Sequence, residues 1–256
     1  MTTATSPAIA ASPARATAGD ELPQLMSDVF HDLSQPLSTL TCLLEVNLLL
    51  SRPAKQVRHD LKIALNQVHF IVRLFRDLRE LVDAGNVSED RRRLALTDCL
   101  REAVADVLPM AKLAKVTLLV CESETPASGC MVNFQASRLR QALLHLLEFA
   151  LGSAATGAQV TITASEDGEA ARLTVAVSPL AILPVATLEA GESGPKNGTS
   201  ASGVGSAEQK QRELKRRLSL AIARRIFEAA GATLHARNSE ERSWIEVRVP
   251  LASHEN

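Results

Sequence analysis

The sequence predicts an α+β protein in two parts: a helical hairpin, then helices segregated on a mixed sheet. Three observations carry this expectation. Apolar residues at alternating steps of four and three run from Met26 to Leu44, and a similar series runs from Leu61 to Val82. A break at Ser51-Arg52-Pro53 and helix-stop residues at Asp83-Ala84-Gly85-Asn86 frame the second series. Beyond Asn86 the pattern changes to short apolar strands interleaved with helices.

The first helix is expected over about 21–51, with Met26, Phe30, Leu33, Leu37, Leu40 and Leu44 as one apolar seam. The second carries Leu61, Ala64, Val68, Ile71, Phe75, Leu78 and Val82. Two helices of similar length with a short connection make an antiparallel hairpin, placed at 22–87. A lone hairpin buries little apolar surface. Pairing two hairpins into a four-helix bundle completes the core, so a homodimer is expected.

The second part is placed at 88–256. Arg92 to Leu96 is a short strand, and Thr97 is placed as the cap of a helix running to about Leu113. Val116 to Cys121 reads as a strand, and Ser137 to Ala150 as a helix. Gln159–Ala164 and Leu173–Val177 read as strands paired around the turn at Asp167-Gly168. Leu218 to Ala229 is an amphipathic helix stopped by Gly231. Thr233-Leu234 and Trp244 to Val249 finish the chain as strands.

Composition narrows the function. Charges of 28 basic and 29 acidic residues, net −1, argue against a bulk electrostatic nucleic-acid binder. No apolar run reaches bilayer length, so neither a membrane partner nor a membrane span is expected, and the expected location is cytoplasmic. Residues 1–21 are rich in Ala, Thr, Ser and Pro, lack the apolar block of a secretion signal, and read as a disordered leader. Cys42, Cys99, Cys121 and Cys130 show no C-x-x-C spacing and read as free thiols.

The chemistry concentrates at His31-Asp32-Leu33-Ser34-Gln35-Pro36-Leu37. His31 lies about 200° around the helix from Leu33 and so points away from the seam. Gln35 is one turn further on the same face. Pro36 removes a backbone hydrogen bond within the helix. A neutral imidazole is a nucleophile near pH 7 and also a leaving group, and an adjacent carboxylate fixes its tautomer and takes the ring proton.

This stretch resembles the phosphoacceptor box of two-component sensor histidine kinases, in its HELxQPL variant. The order of elements after Asn86 resembles the ATP-binding domain of the same family, the GHKL or HATPase fold. The resemblance spans nearly all of the chain from about residue 22. It implies a phosphoacceptor hairpin followed by a two-layer α/β sandwich of the histidine-kinase ATPase type. It implies His31 as phosphoacceptor, Asp32 as its orienting base, and Gln35 as a residue that orients water for dephosphorylating a partner regulator.

The nucleotide motifs depart from that family. The NLLxNA box reads His145-Leu146-Leu147-Glu148-Phe149-Ala150, so Phe149 stands where a magnesium-holding Asn is expected. A phenyl ring offers no oxygen to a hard cation. The segment due to carry DxGxG reads Ser178-Pro179-Leu180-Ala181-Ile182-Leu183, without carboxylate or glycine. The GTGLGLAI segment reads Lys215-Arg216-Arg217-Leu218-Ser219-Leu220-Ala221-Ile222. Its glycines are replaced by Lys215, Arg217 and Ser219. A lid-like flexible loop is expected at about 185–212, including the Gly- and Ser-rich Gly191 to Gly205.

The combination resembles bacterial histidine phosphotransferases, kinase-like dimers whose second domain binds no ATP. The leading expectation is therefore a two-component phosphotransferase working through His31, with no cofactor and no metal. Its partners would be a response regulator receiver domain and an upstream hybrid histidine kinase. Two alternatives stand beside it. One is an active sensor kinase using ATP and magnesium at an atypical site. The other is a non-catalytic pseudokinase that docks regulators.

Overall fold

The computed structural model describes residues 21–86, 90–122, 130–178, 207–238 and 243–252. The leader, the DxGxG-equivalent segment beyond Ser178 and the glycine-rich 191–205 stretch lie outside them. No helix among the described residues is long and apolar enough to cross a membrane.

The chain begins with a stem of two helices, α1 (Glu21–Leu49) and α2 (Ala54–Asp83). Pro53 precedes α2 and starts it, because its fixed φ suits the first turn and its missing N–H would be unpaired there anyway. The seam inside the hairpin is built from Leu25, Val29 and Leu33 of α1 and Leu74, Leu78 and Leu81 of α2, with Ala64 buried nearer the tip. Near the tip a polar cluster sets the pairing: Asn47 Nδ2 and Arg52 Nη1 both donate to Asp60 Oδ2, at 3.2 and 3.0 Å.

The single seam expected on each helix is two seams. Ala64 and Leu78 face the hairpin interior, whereas Leu61, Val68, Phe75 and Val82 are exposed. On α1, Leu33 is buried, but Phe30, Leu37 and Leu44 are exposed. The three- and four-residue steps had alternated between two stripes. An outer stripe on α2 through Leu61, Leu65, Val68, Val72, Phe75 and Val82 keeps heptad spacing and has no cover among the described residues.

The second part is a two-layer α/β sandwich. Strands β2 (Thr117–Glu122), β4 (Gln159–Asp167), β5 (Ala170–Ser178), β6 (Thr233–Asn238) and β7 (Ser243–Pro250) form one mixed sheet in the order β2-β4-β5-β7-β6. Only β2 and β4 are parallel, the connection between them passing through α4 (Ala136–Ser153). Alternation along the strands puts Val160, Ile162, Leu173, Val175, Ile245 and Val247 on the inner face. That face is covered by α3 (Leu96–Ala114), α4 and α5 (Ala207–Ala229). Phe134 and Phe227 meet edge to face at 6.2 Å. Gly168, in the β4–β5 turn, and Gly231, after α5, take the positive φ that such turns require.

Three details differ from the sequence reading. Thr97 lies inside α3, and Ala95 occupies the N-cap position with no side-chain bond. A short strand β3 (Met131–Phe134) pairs antiparallel with β1 (Arg92–Ala95) and had no counterpart in the sequence reading. Residues 207–212, assigned there to a flexible lid, are the first turns of α5. The run Gln209-Lys210-Gln211-Arg212-Glu213-Leu214-Lys215 consists of good helix formers, which accounts for the extension.

Stem and sandwich are not separate cores. Leu25, Val29, Leu78 and Leu81 belong to the same buried apolar cluster as Leu214, Leu218 and Leu143.

Candidate phosphoacceptor site

His31 sits about a third of the way along α1 on its outward face, with its side chain 86% exposed. Its Nδ1 lies 3.2 Å from Asp32 Oδ1. That contact leaves Nε2 as the ring nitrogen open to solvent. Gln35 is exposed one turn further along. Buried Pro36 supplies no N–H, so the Asp32 carbonyl lacks its helical donor just beneath the histidine. The hydroxyls of Ser34 and Ser38 donate to the carbonyls of Phe30 and Ser34, at 3.1 and 2.9 Å, and so lie back along the helix.

One turn before His31 stands Asp28, which the sequence reading did not single out. Its Oδ2 accepts from Arg217 Nη2 of α5 at 2.7 Å. This pair brings the Lys215–Ser219 segment of α5 to the helix that carries His31. A second such contact comes from His145 on α4, whose Nε2 is 2.8 Å from Glu80 Oε2 on α2. The His145 Nδ1 is buried without a hydrogen-bond partner. Lys215 Nζ lies 3.7 Å from Glu148 Oε2.

The other residues at altered nucleotide positions are inside the protein. Phe149 is 1% exposed and packs in the core, and Ser219 is buried. Lys215, Arg217 and Ser219 lie within the continuous helix α5. Only the first four N–H groups of a helix are left without intrahelical partners, and in α5 these belong to the turn beginning at Ala207. The backbone amides at 215–219 are therefore engaged in the helix.

Between α2, α4 and α5 lies an open cleft of about 810 Å³, with Phe70, Leu74 and Leu144 among its apolar walls. Asp77 is part of its lining. Burial pushes the Asp77 carboxyl above its usual range; His145 nearby works against that shift, and Glu80 adds to it. Asp28, Asp77 and Glu80 carry no motif in the sequence. Their only signal is that each is an acid in the stem, Asp28 three residues before His31.

A hairpin stem bearing an outward histidine, joined to a two-layer sandwich of this strand order, is the fold of a two-component histidine-kinase core. Solved structures that share it include three histidine kinases. The Acinetobacter baumannii histidine kinase AdeS superposes with a TM-score of 0.59 at 16% identity, over 87% of this chain and 98% of its own. Histidine kinase ThkA, solved in complex with the response regulator protein TrrA, gives 0.63 at 14% identity, over 93% of this chain and 64% of its own. Full-length ShkA, solved in complex with AMPPNP, gives 0.52 at 18% identity, over 91% of this chain and 47% of its own. No family model matches the sequence, and no curated protein matches it.

Proposed function

We propose that this protein is a two-component histidine phosphotransferase that carries phosphoryl groups on His31. The observation that carries the reading is the paired, outward imidazole: Asp32 engages Nδ1 and leaves Nε2 open. In the forward step Nε2 attacks the phosphorus of an aspartyl phosphate on a receiver domain. The N–P bond forms, the P–O bond to the receiver breaks, and the aspartate leaves as a carboxylate. The Nδ1 proton passes toward Asp32, which limits the positive charge on the phosphorylated ring. Reversal of the same steps delivers the phosphoryl group to a second receiver, and exposed Gln35, one turn from His31, would orient water for dephosphorylating that regulator.

The receiver-domain partner is supported by ThkA, whose structure was solved with a response regulator. An upstream hybrid kinase would load the first receiver. The uncovered heptad stripe on α2 supports a homodimer, formed by pairing two stems.

Magnesium and ATP do not fit the residues at the altered motifs. Phe149 is an apolar core residue, the amides at 215–219 are held in a helix, and Lys215 and Arg217 are turned toward carboxylates. No step is routed through a nucleotide. Two incubations test the reading: one with a labelled phosphorylated receiver, one with labelled ATP and magnesium. Label on His31 from the receiver and none from ATP is expected. Label from ATP would make the protein a working kinase, and label from neither would make it a docking pseudokinase.

A further inference from the structure

Side chains of α4 and α5, two of them at altered nucleotide positions, reach the stem at several separate points. His145 of α4 meets Glu80 of α2, 2.8 Å apart. Arg217 of α5 meets Asp28 of α1 at 2.7 Å. Arg138 Nη2, at the start of α4, donates to the Asp83 carbonyl at 3.1 Å, and Gln211 Nε2 of α5 donates to Gln67 Oε1 of α2 at 3.5 Å. Just past the end of α2 the Arg225 guanidinium of α5 lies against Gly85: a Cβ there would sit 2.7 Å from Arg225 Nε.

An isolated exposed ion pair contributes little, because water solvates both partners as well as they solvate each other. These contacts differ in two ways. His145, Arg217, Glu80 and Asp28 are all partly buried, and they flank the apolar cluster shared by Leu25, Val29, Leu78, Leu214 and Leu218. Contacts along the stem from Gln67 to Asp83, with a further one on α1, also oppose rotation about any single hinge. In this arrangement His31 stays 86% exposed, one turn beyond the Asp28–Arg217 pair.

We infer that His145 and Arg217 are positioning residues for transfer at His31. They clamp the second domain to the stem in one orientation and so keep the face around His31 open to a partner. The part concerning transfer rests on the phosphotransferase reading; the clamp itself does not. The contacts that hold it take up side chains that stand where a nucleotide site would need different ones.

The test uses the full chain with the double substitution Asp28→Asn and Glu80→Gln, and a charge-swapped variant, Asp28→Arg with Arg217→Asp. Hydrogen exchange reports the clamp. The double variant should exchange at least tenfold faster at the amides of 211–217, while those of 160–164 in β4 stay protected and report an intact fold. The swap should restore slow exchange at 211–217. Unchanged exchange in the double variant, or no rescue by the swap, overturns the clamp.

Labelling kinetics report positioning. Transfer from a phosphorylated receiver should lose at least tenfold in kcat/KM, mainly through KM, while labelling by the small donor phosphoramidate is unchanged. Equal receiver kinetics in the double variant and the wild type overturn the positioning role. Absence of phosphoramidate label on His31 in the wild type would instead count against the phosphotransferase reading, and leave the clamp to stand or fall on exchange alone.

Discussion

Leu74 and Phe75 are consecutive on α2 and serve different seams: Leu74 is 3% exposed, within the hairpin, and Phe75 is 58% exposed on the outer stripe. Substitutions at the two positions should therefore fail differently. Phe75→Asp would place a charge in the proposed dimer interface but leave the hairpin interior untouched. It should raise the dimer dissociation constant by more than a hundredfold, about 3 kcal/mol, with helix content kept. Leu74→Asp buries the charge in the chain's own core and should melt the stem. Sedimentation and circular dichroism on both variants check this, and a wild-type monomer at micromolar concentration would remove the dimer altogether.

The same pair shows how far the sequence was readable. The spacing of apolar residues is enough to define two helices and a hairpin, because helical periodicity is local. It does not separate two stripes about 100° apart on one helix when both keep steps of three and four. β3 is only four residues long, too short for a pattern, and exists because β1 pairs with it. His31, Asp32 and Gln35 were legible because their spacing within one helix fixes their geometry. The partners of His145 and Arg217 were not, since Glu80 and Asp28 lie 65 and 189 positions away.

At the proposed phosphoacceptor, His31→Gln should abolish labelling by a phosphorylated receiver without weakening the proposed dimer, because the side chain is 86% exposed. Asp32→Asn keeps an oxygen near Nδ1 but cannot take its proton. It should slow transfer roughly a hundredfold, the lower range of general acid–base contributions. Rapid-quench labelling measures both rates. Residual transfer in His31→Gln would move the acceptor to another histidine.

Asp77 gives a prediction about pH. Its folded-state carboxyl titrates above the usual range, chiefly through burial. The folded protein therefore holds the proton more tightly than the unfolded chain. Ionised Asp77 costs stability above its folded pKa, and that cost disappears as pH falls to where both states are protonated. Asp77→Asn should raise the melting temperature at pH 7, and the difference from wild type should shrink toward acid. Melting curves of the two proteins from pH 4 to 8 decide it; a constant difference would mean that Asp77 acts by packing and not by charge.

The nucleotide prediction is the most exposed to refutation. A site of the family's type gains affinity from a metal ligand, an adenine contact and backbone amides on the phosphates. Phe149 is sealed in the core and provides no metal ligand. The amides of 215–219 are bonded within α5 and face no ligand. Losing one charge-assisted contact costs about 1.5–3 kcal/mol, or roughly ten- to a hundredfold, so two such losses move a micromolar site to about 0.1–10 mM, and loss of metal positioning weakens it further. Arg73 and Arg76 line the cleft beside α4 and supply some general attraction for anions, yet without a metal they do not align a γ-phosphate for in-line transfer. Calorimetry with magnesium-ATP should show no saturable binding below about 1 mM. Phe149→Asn alone should not restore it, because that side chain points into packed core and the helical amides remain engaged. Micromolar binding by the wild type, or recovery in Phe149→Asn, would show that α5 unwinds to form a phosphate loop.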